Sequence, residues 1–94
     1  MDAETFKAAL LSDGFSADIR EIAPGHATPE HAHPFHVRGL VLDCDITLTT
    51  AEGSRTYRPG EVFTMAAGHP HAETIGAQGV RNLVGRLHPP AAGG

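Results

Sequence analysis

The most informative stretch of this sequence is residues 25 to 36, which read Gly-His-Ala-Thr-Pro-Glu-His-Ala-His-Pro-Phe-His. His31 and His33 are separated by one residue. On a β-strand alternate side chains point to the same face, so this spacing predicts two imidazoles side by side on one surface. Neutral imidazole is the commonest protein ligand of transition metals. The pair therefore predicts part of a metal site whose other ligands come from elsewhere in the chain.

A third candidate ligand lies in a second histidine motif, His69-Pro70-His71, which follows a short apolar strand and Gly68. We expect His71 to meet His31 and His33 across the sheet. Imidazole ligands favour zinc, iron, nickel or copper over magnesium and calcium, which prefer oxygen ligands. The sequence therefore predicts a divalent transition metal as cofactor.

The rest of the chain alternates short apolar strands with turn residues, which is typical of an all-β barrel or sandwich. Predicted turns include Asp43–Asp45, Gly76–Gly79 and Pro59–Gly60, where a type II turn needs glycine at its third position. Asp2 is the predicted cap of a helix over residues 3–13. We predict one domain over residues 1–94, with a barrel over about 16–87 and a fraying tail over 88–94.

Composition excludes several other classes of protein. The chain has 94 residues, a formal net charge of −4 and seven basic residues without a basic stripe, so nucleic-acid binding is not expected. Its one cysteine, Cys44, excludes an intramolecular disulfide and paired-cysteine zinc sites. The N-terminus lacks the apolar core of a signal peptide, and no apolar run is long enough to span a membrane. These absences predict a cytoplasmic protein.

Two groups of residues carry a resemblance to small single-domain cupins. The first cupin signature has a glycine, five intervening residues and then His-x-His, as Gly25, His31 and His33 do here. The second places two glycines and a histidine where this chain has Gly60, Gly68 and His71. The resemblance covers residues 20 to 86. It implies an antiparallel double-stranded β-helix, or jelly-roll barrel, with the predicted short N-terminal helix outside it.

The chain departs from the cupin pattern at the carboxylate ligand. The signature glutamate would fall at Val37 or Arg38, so this ligand is missing. His36 lies beside the vacant position, and a bulge at Pro34 would turn it inward as a fourth ligand. Strict alternation instead places His36 on the far side of the strand. Both alternatives stay open at the level of sequence.

Further residues are candidates for contact with a ligand in the barrel, and packing or solvation is the alternative for each: Phe35, Arg38, Tyr57, Met65 and His69. Because cupins include enzymes and non-catalytic binders, the fold does not select a reaction. We predict a metal-binding protein that also holds a small organic ligand, with oxygenase-like or isomerase chemistry if it is an enzyme. The alternative is a binding or sensing module without turnover. A homodimer is expected, since a short barrel gains stability by pairing and cupins commonly pair.

Overall fold

The computed structural model describes residues 1–89, which form one helix and six strands. Residues 90–94 of the predicted tail lie outside the described part, while His88 and Pro89 have no regular structure. The elements, in chain order, are α1 (Ala3–Ser12), β1 (Asp18–Ile22), β2 (Ala27–His31), β3 (His36–Thr50), β4 (Gly53–Tyr57), β5 (Val62–Met65) and β6 (His71–Leu87).

Helix α1 begins where the sequence predicts and ends one residue before the predicted boundary. The Asp2 side chain accepts a hydrogen bond of 2.9 Å from the backbone N–H of Thr5, which satisfies one of the free donors at the helix start. The helix buries Phe6 and Leu10. Both pack against the sheet in a cluster that includes Leu40, so α1 covers one face of the barrel.

The antiparallel pair of β3 and β6 is the centre of the sheet. The first half of β6 also pairs with β2, and its second half pairs with β1. In the same way, the first half of β3 pairs with β5 and its second half with β4. Two long strands therefore hold four short ones, and the all-β prediction with one N-terminal helix is confirmed.

Two predicted turns are wrong, because they lie inside the long strands. β3 continues through Asp43–Asp45, and β6 continues through Gly76–Gly79. The register of the pair shifts on both sides of Cys44, which has a φ of 62°. Turn-forming residues in a paired strand can bulge and bend it without reversing the chain. These segments are the corner where the sheet bends.

The predicted turn at Pro59–Gly60 is confirmed. Gly60 has a φ of +87°, and the N–H of Glu61 donates to the carbonyl of Arg58 over 2.9 Å. Within residues 1–89, no helix combines the length and the apolar character needed to cross a lipid bilayer.

Alternation along β3 separates two hydrophobic clusters. Val37 and Val41 face the interior of the barrel, while Leu40 faces helix α1. The interior cluster is completed by residues from the second half of β3 and from β5 and β6: Ile46, Leu48, Phe63, Met65, Ile75, Val80 and Val84. The candidate site lies at one end of this apolar interior.

Candidate metal centre

Three histidines meet where strand β2 ends and strand β6 begins. His31 is the last residue of β2 and lies directly opposite His71, the first residue of β6. His33 follows two residues after the end of β2, so it is positioned by the loop and not by the predicted strand. One ring nitrogen from each histidine lies within 4.8 Å of the others. The structure thus brings together the three ligands predicted from sequence.

Backbone carbonyls orient two of these rings. His31 Nδ1 lies 2.8 Å from the carbonyl oxygen of Pro29, and His71 Nδ1 lies 3.1 Å from that of His69. A carbonyl oxygen only accepts, so each Nδ1 carries the proton and donates it. The Nε2 atom of each ring is then unprotonated and carries a lone pair. Metal-binding histidines are commonly held in this way.

The Nε2 atom of His71 is buried and has no hydrogen-bond partner among the described residues. His71 is only 1% exposed, so water does not satisfy this nitrogen at the surface. Buried polar atoms nearly always have a partner, and an exception calls for a ligand or an ion. His31 Nε2 and His33 Nε2 face each other at 3.2 Å beside it. These nitrogens fit a transition-metal ion.

Burial lowers the pKa of His33 below its usual 6.5, and the neighbouring charges of His31 and His71 lower it further. A lowered pKa favours the neutral ring at neutral pH. Only the neutral ring offers a lone pair to a metal. The electrostatics of the site therefore agree with its geometry.

A carboxylate on β6 lies near one of the three histidines. Glu73 is two residues after His71 on β6, and its Oε1 lies 3.9 Å from His71 Nε2. The side chain is only partly exposed. Glu73 was not among the residues predicted from the sequence. The spacing His-x-Glu on a predicted strand was a usable signal, because it places both side chains on one face.

A small cavity of about 30 Å³ adjoins the cluster and includes His33 and Glu73 in its wall. Phe35 and Met65, both predicted to contact a ligand, also line it. The Phe35 ring stacks on His33, with centroids 4.8 Å apart and planes 12° from parallel. The remaining lining residues are Arg20, Ile22, Val37, Ile46, Phe63, Asn82, Val84 and Arg86.

Other predicted residues lie elsewhere. His36 is outside the three-histidine group, and its Nδ1 accepts a hydrogen bond of 3.0 Å from Ala67 N–H. Arg38 pairs with Asp13 at 2.7 Å. Since Val37 faces the interior, alternation turns both of its neighbours away from the cavity.

Tyr57 and His69 line a second, more open cavity, which shares Met65 with the first. Tyr57 also packs against Phe63, with ring centroids 5.7 Å apart. The structure therefore separates these two residues from the cavity beside the histidines.

Comparison with known proteins identifies the family. The sequence profile of the cupin domain matches residues 18–76, which include His31, His33 and His71. This chain belongs to the cupin family. A search of curated proteins returned no match.

Solved structures share the cupin fold over most of this chain. A protein of unknown function from Rhizobium leguminosarum superposes with a TM-score of 0.75 at 17% identity, covering 82% of this chain and 73% of that one. A cupin superfamily protein from Desulfitobacterium hafniense gives 0.69 at 19% identity, covering 80% and 68%. The predicted jelly-roll barrel is thereby confirmed.

The polyketide cyclase RemF from Streptomyces resistomycificus is also similar, with a TM-score of 0.68 at 26% identity. The superposition covers 86% of this cupin and 62% of RemF. Structural relatives of this cupin thus include a protein named for a catalytic activity.

Proposed function

We propose that this cupin binds one divalent transition metal through His31, His33 and His71 and holds a small organic ligand in the adjoining cavity. The observation that carries the proposal is the buried Nε2 of His71, which lacks a partner and faces two further imidazoles. A metal is the partner that three neutral ring nitrogens in one place can share.

The donor set favours zinc, iron, nickel or copper. Glu73 supplies an oxygen beside His71 and is the residue we propose as the carboxylate of the site. A bound metal of this kind polarises a carbonyl or carboxylate or activates water. The protein's own contribution is to orient the His31 and His71 rings through backbone carbonyls, and to place the apolar wall of Phe35 and Met65 beside the site.

Metal titration tests the proposal. The purified protein is stripped with a chelator, then titrated with Zn²⁺, Ni²⁺, Cu²⁺ and, without oxygen, Fe²⁺, while calorimetry reports affinity and elemental analysis reports stoichiometry. We expect one metal per chain, and loss of binding in His31→Ala and His33→Ala. His26→Ala is the matched control, because the His26 side chain is exposed and bonds to Thr28 outside the three-histidine group. No binding by the unmodified chain, or equal loss in the control, contradicts the proposal.

Turnover separates an enzyme from a binding module. The loaded protein is assayed for oxygen consumption and for loss of small acids and phenols. RemF is named a polyketide cyclase, but the cavity of about 30 Å³ here favours a much smaller ligand. Metal-dependent turnover that His33→Ala abolishes assigns an enzyme. Ligand binding without turnover assigns the non-enzymatic binding or sensing function.

A further inference from the structure

Two arginines contribute to the wall of the cavity beside the histidines. Arg20 lies on β1 and Arg86 near the end of β6. Arg20 is directly opposite Asn82 in the β1–β6 pairing, so their side chains leave the same face of the sheet. Asn82 and Arg86 also share this face, because four residues separate them along one strand. The register therefore gathers two guanidinium groups and one amide at one end of the cavity.

Neither arginine has a carboxylate partner among residues 1–89. The ion pairs formed by arginine in this part of the chain join Arg38 to Asp13 and Arg81 to Glu21. Arg86 instead lies over the Phe35 ring, 5.0 Å from its centroid. Both arginines are exposed and contribute to the cavity wall, so two permanent positive charges lie at its solvent side. Such a pair favours an anionic ligand.

The amide of Asn82 provides a second, independent observation. Asn82 is 2% exposed, and its Oδ1 atom is buried without a hydrogen-bond partner among the described residues. A primary amide offers an acceptor and two donors. A buried amide with an unused oxygen in a cavity wall is suited to a ligand hydroxyl, which both donates and accepts.

We infer that the cavity selects a small hydroxycarboxylate. Arg20 and Arg86 bind its carboxylate, and Asn82 bonds its hydroxyl. This inference rests on the proposed function, since it names the class of organic ligand held beside the metal site. The enclosed part of the cavity, about 30 Å³, is close to the volume of one water molecule, so the ligand must be small and must extend to the exposed arginines. Lactate is small and has the required groups, and it is the probe for the test.

Calorimetry with three related compounds tests each contact on the unmodified protein. Lactate carries both groups, propionate lacks the hydroxyl, and lactamide lacks the charge. We expect lactate to bind about tenfold more tightly than either of the others, in the range expected for one charged or buried hydrogen bond. Equal affinity for lactate and lactamide overturns the role of the arginines, and equal affinity for lactate and propionate overturns that of Asn82.

Variants then assign the contacts to residues. Arg20→Gln and Arg86→Gln should each weaken lactate binding about tenfold. Arg81→Gln is the matched control. It removes the same charge from β6, but Arg81 pairs with Glu21 and does not line this cavity. Asn82→Leu should remove the preference for lactate over propionate. Unchanged lactate affinity in both arginine variants, or equal weakening in the control, overturns the inference.

Measurements with and without Zn²⁺ separate this inference from the proposed metal site. Metal binding without lactate binding refutes the hydroxycarboxylate and leaves the metal site standing. Lactate binding by metal-free protein that takes up no metal supports the arginine site and refutes the metal proposal. Lactate binding that needs Zn²⁺ and ignores both arginines refutes this inference, because the metal alone then holds the carboxylate.

Discussion

Replacing His71 with leucine should remove metal binding without weakening the metal-free protein. Leucine is apolar and of similar size, so it fills the buried position. The change removes an Nε2 atom that is buried without a partner and also the 3.1 Å hydrogen bond from Nδ1 to the His69 carbonyl. The two losses act on stability in opposite directions.

Their magnitudes give the expected sign. A buried unsatisfied polar atom costs about 1–3 kcal/mol, whereas a neutral hydrogen bond contributes about 0.5–1.5 kcal/mol. The free energy of unfolding of metal-free His71→Leu should therefore change by roughly −0.5 to +2.5 kcal/mol relative to the parent. In a domain of this size each kcal/mol moves Tm by roughly 4–8 °C.

Metal adds a second and larger difference. At a free metal concentration about one hundred times Kd, binding adds about 2.7 kcal/mol to the stability of the parent protein. Thermal denaturation followed by circular dichroism should show its Tm rising by roughly 10–20 °C on addition of Zn²⁺. His71→Leu should show no rise, and His26→Ala should match the parent. The reasoning is refuted if His71→Leu keeps the metal-induced rise, or if its metal-free form loses much more than about 1 kcal/mol.

Three further predictions concern pH, packing and the helix cap. Zn²⁺ affinity, measured by calorimetry between about pH 5 and pH 8, should fall with pH because a protonated imidazole has no lone pair for a metal. Burial lowers the pKa of His33, which keeps its lone pair available further into acid. A flat profile argues against histidine ligands. Gly39→Ala should lower the free energy of unfolding by about 1–3 kcal/mol in urea denaturation, because its Cβ would overlap the Phe63 ring, and adding Phe63→Leu should restore part of that loss. The hydrogen bond from Thr5 N–H lowers the pKa of Asp2 below 3.8, so the stabilisation from this cap is complete above pH 3.8 and is lost as pH falls through the lower pKa of the folded state. Asp2→Ala should therefore lower Tm at pH 7 but not near about pH 2. An equal difference in Tm at both pH values would contradict this.

Sequence patterns predict the short-range features of this fold best. A capped helix start and a Pro-Gly turn depend on neighbouring residues, and both Asp2 and Pro59–Gly60 behave as expected. The corner at Asp43–Asp45 was not predictable in the same way. Whether turn residues reverse the chain or only bend it depends on long-range pairing, and here β3 and β6 remain paired on both sides of the corner.

In the candidate site, too, features set by local spacing were predictable and features set by long-range pairing were not. The spacing of His31 and His33 and their separation from His71 are visible in sequence, and the structure brings the three together. The location of His36 depends on whether a bulge follows Pro34, which local sequence does not decide. Glu73 was not predicted, because the first signature indicates a carboxylate near Val37, whereas the carboxylate beside His71 lies on β6.

The roles of Gly39, Arg20 and Arg86 were the hardest to predict from the sequence. Gly39 is needed because the Phe63 ring lies over its backbone, a contact between two strands that only the register reveals. Arg20 and Arg86 are 66 residues apart in the chain and meet only because β1 pairs with the second half of β6. The local sequence around each arginine does not indicate that it lines the cavity.

The pairing pattern also orders events during synthesis on the ribosome. β1 and β2 both wait for β6, since Asp18 pairs with Val84 and His31 with His71. Until β6 has left the exit tunnel, β3 can pair with β4 and β5, but β1 and β2 stay unpaired, and about forty residues must be spanned to close the histidine cluster. Long closures of this kind slow folding and leave unpaired strand edges exposed to neighbouring nascent chains. We therefore expect a truncated chain that stops before His71 to be captured by chaperones or to aggregate, whereas a chain released after Leu87 can complete its sheet in one cooperative step.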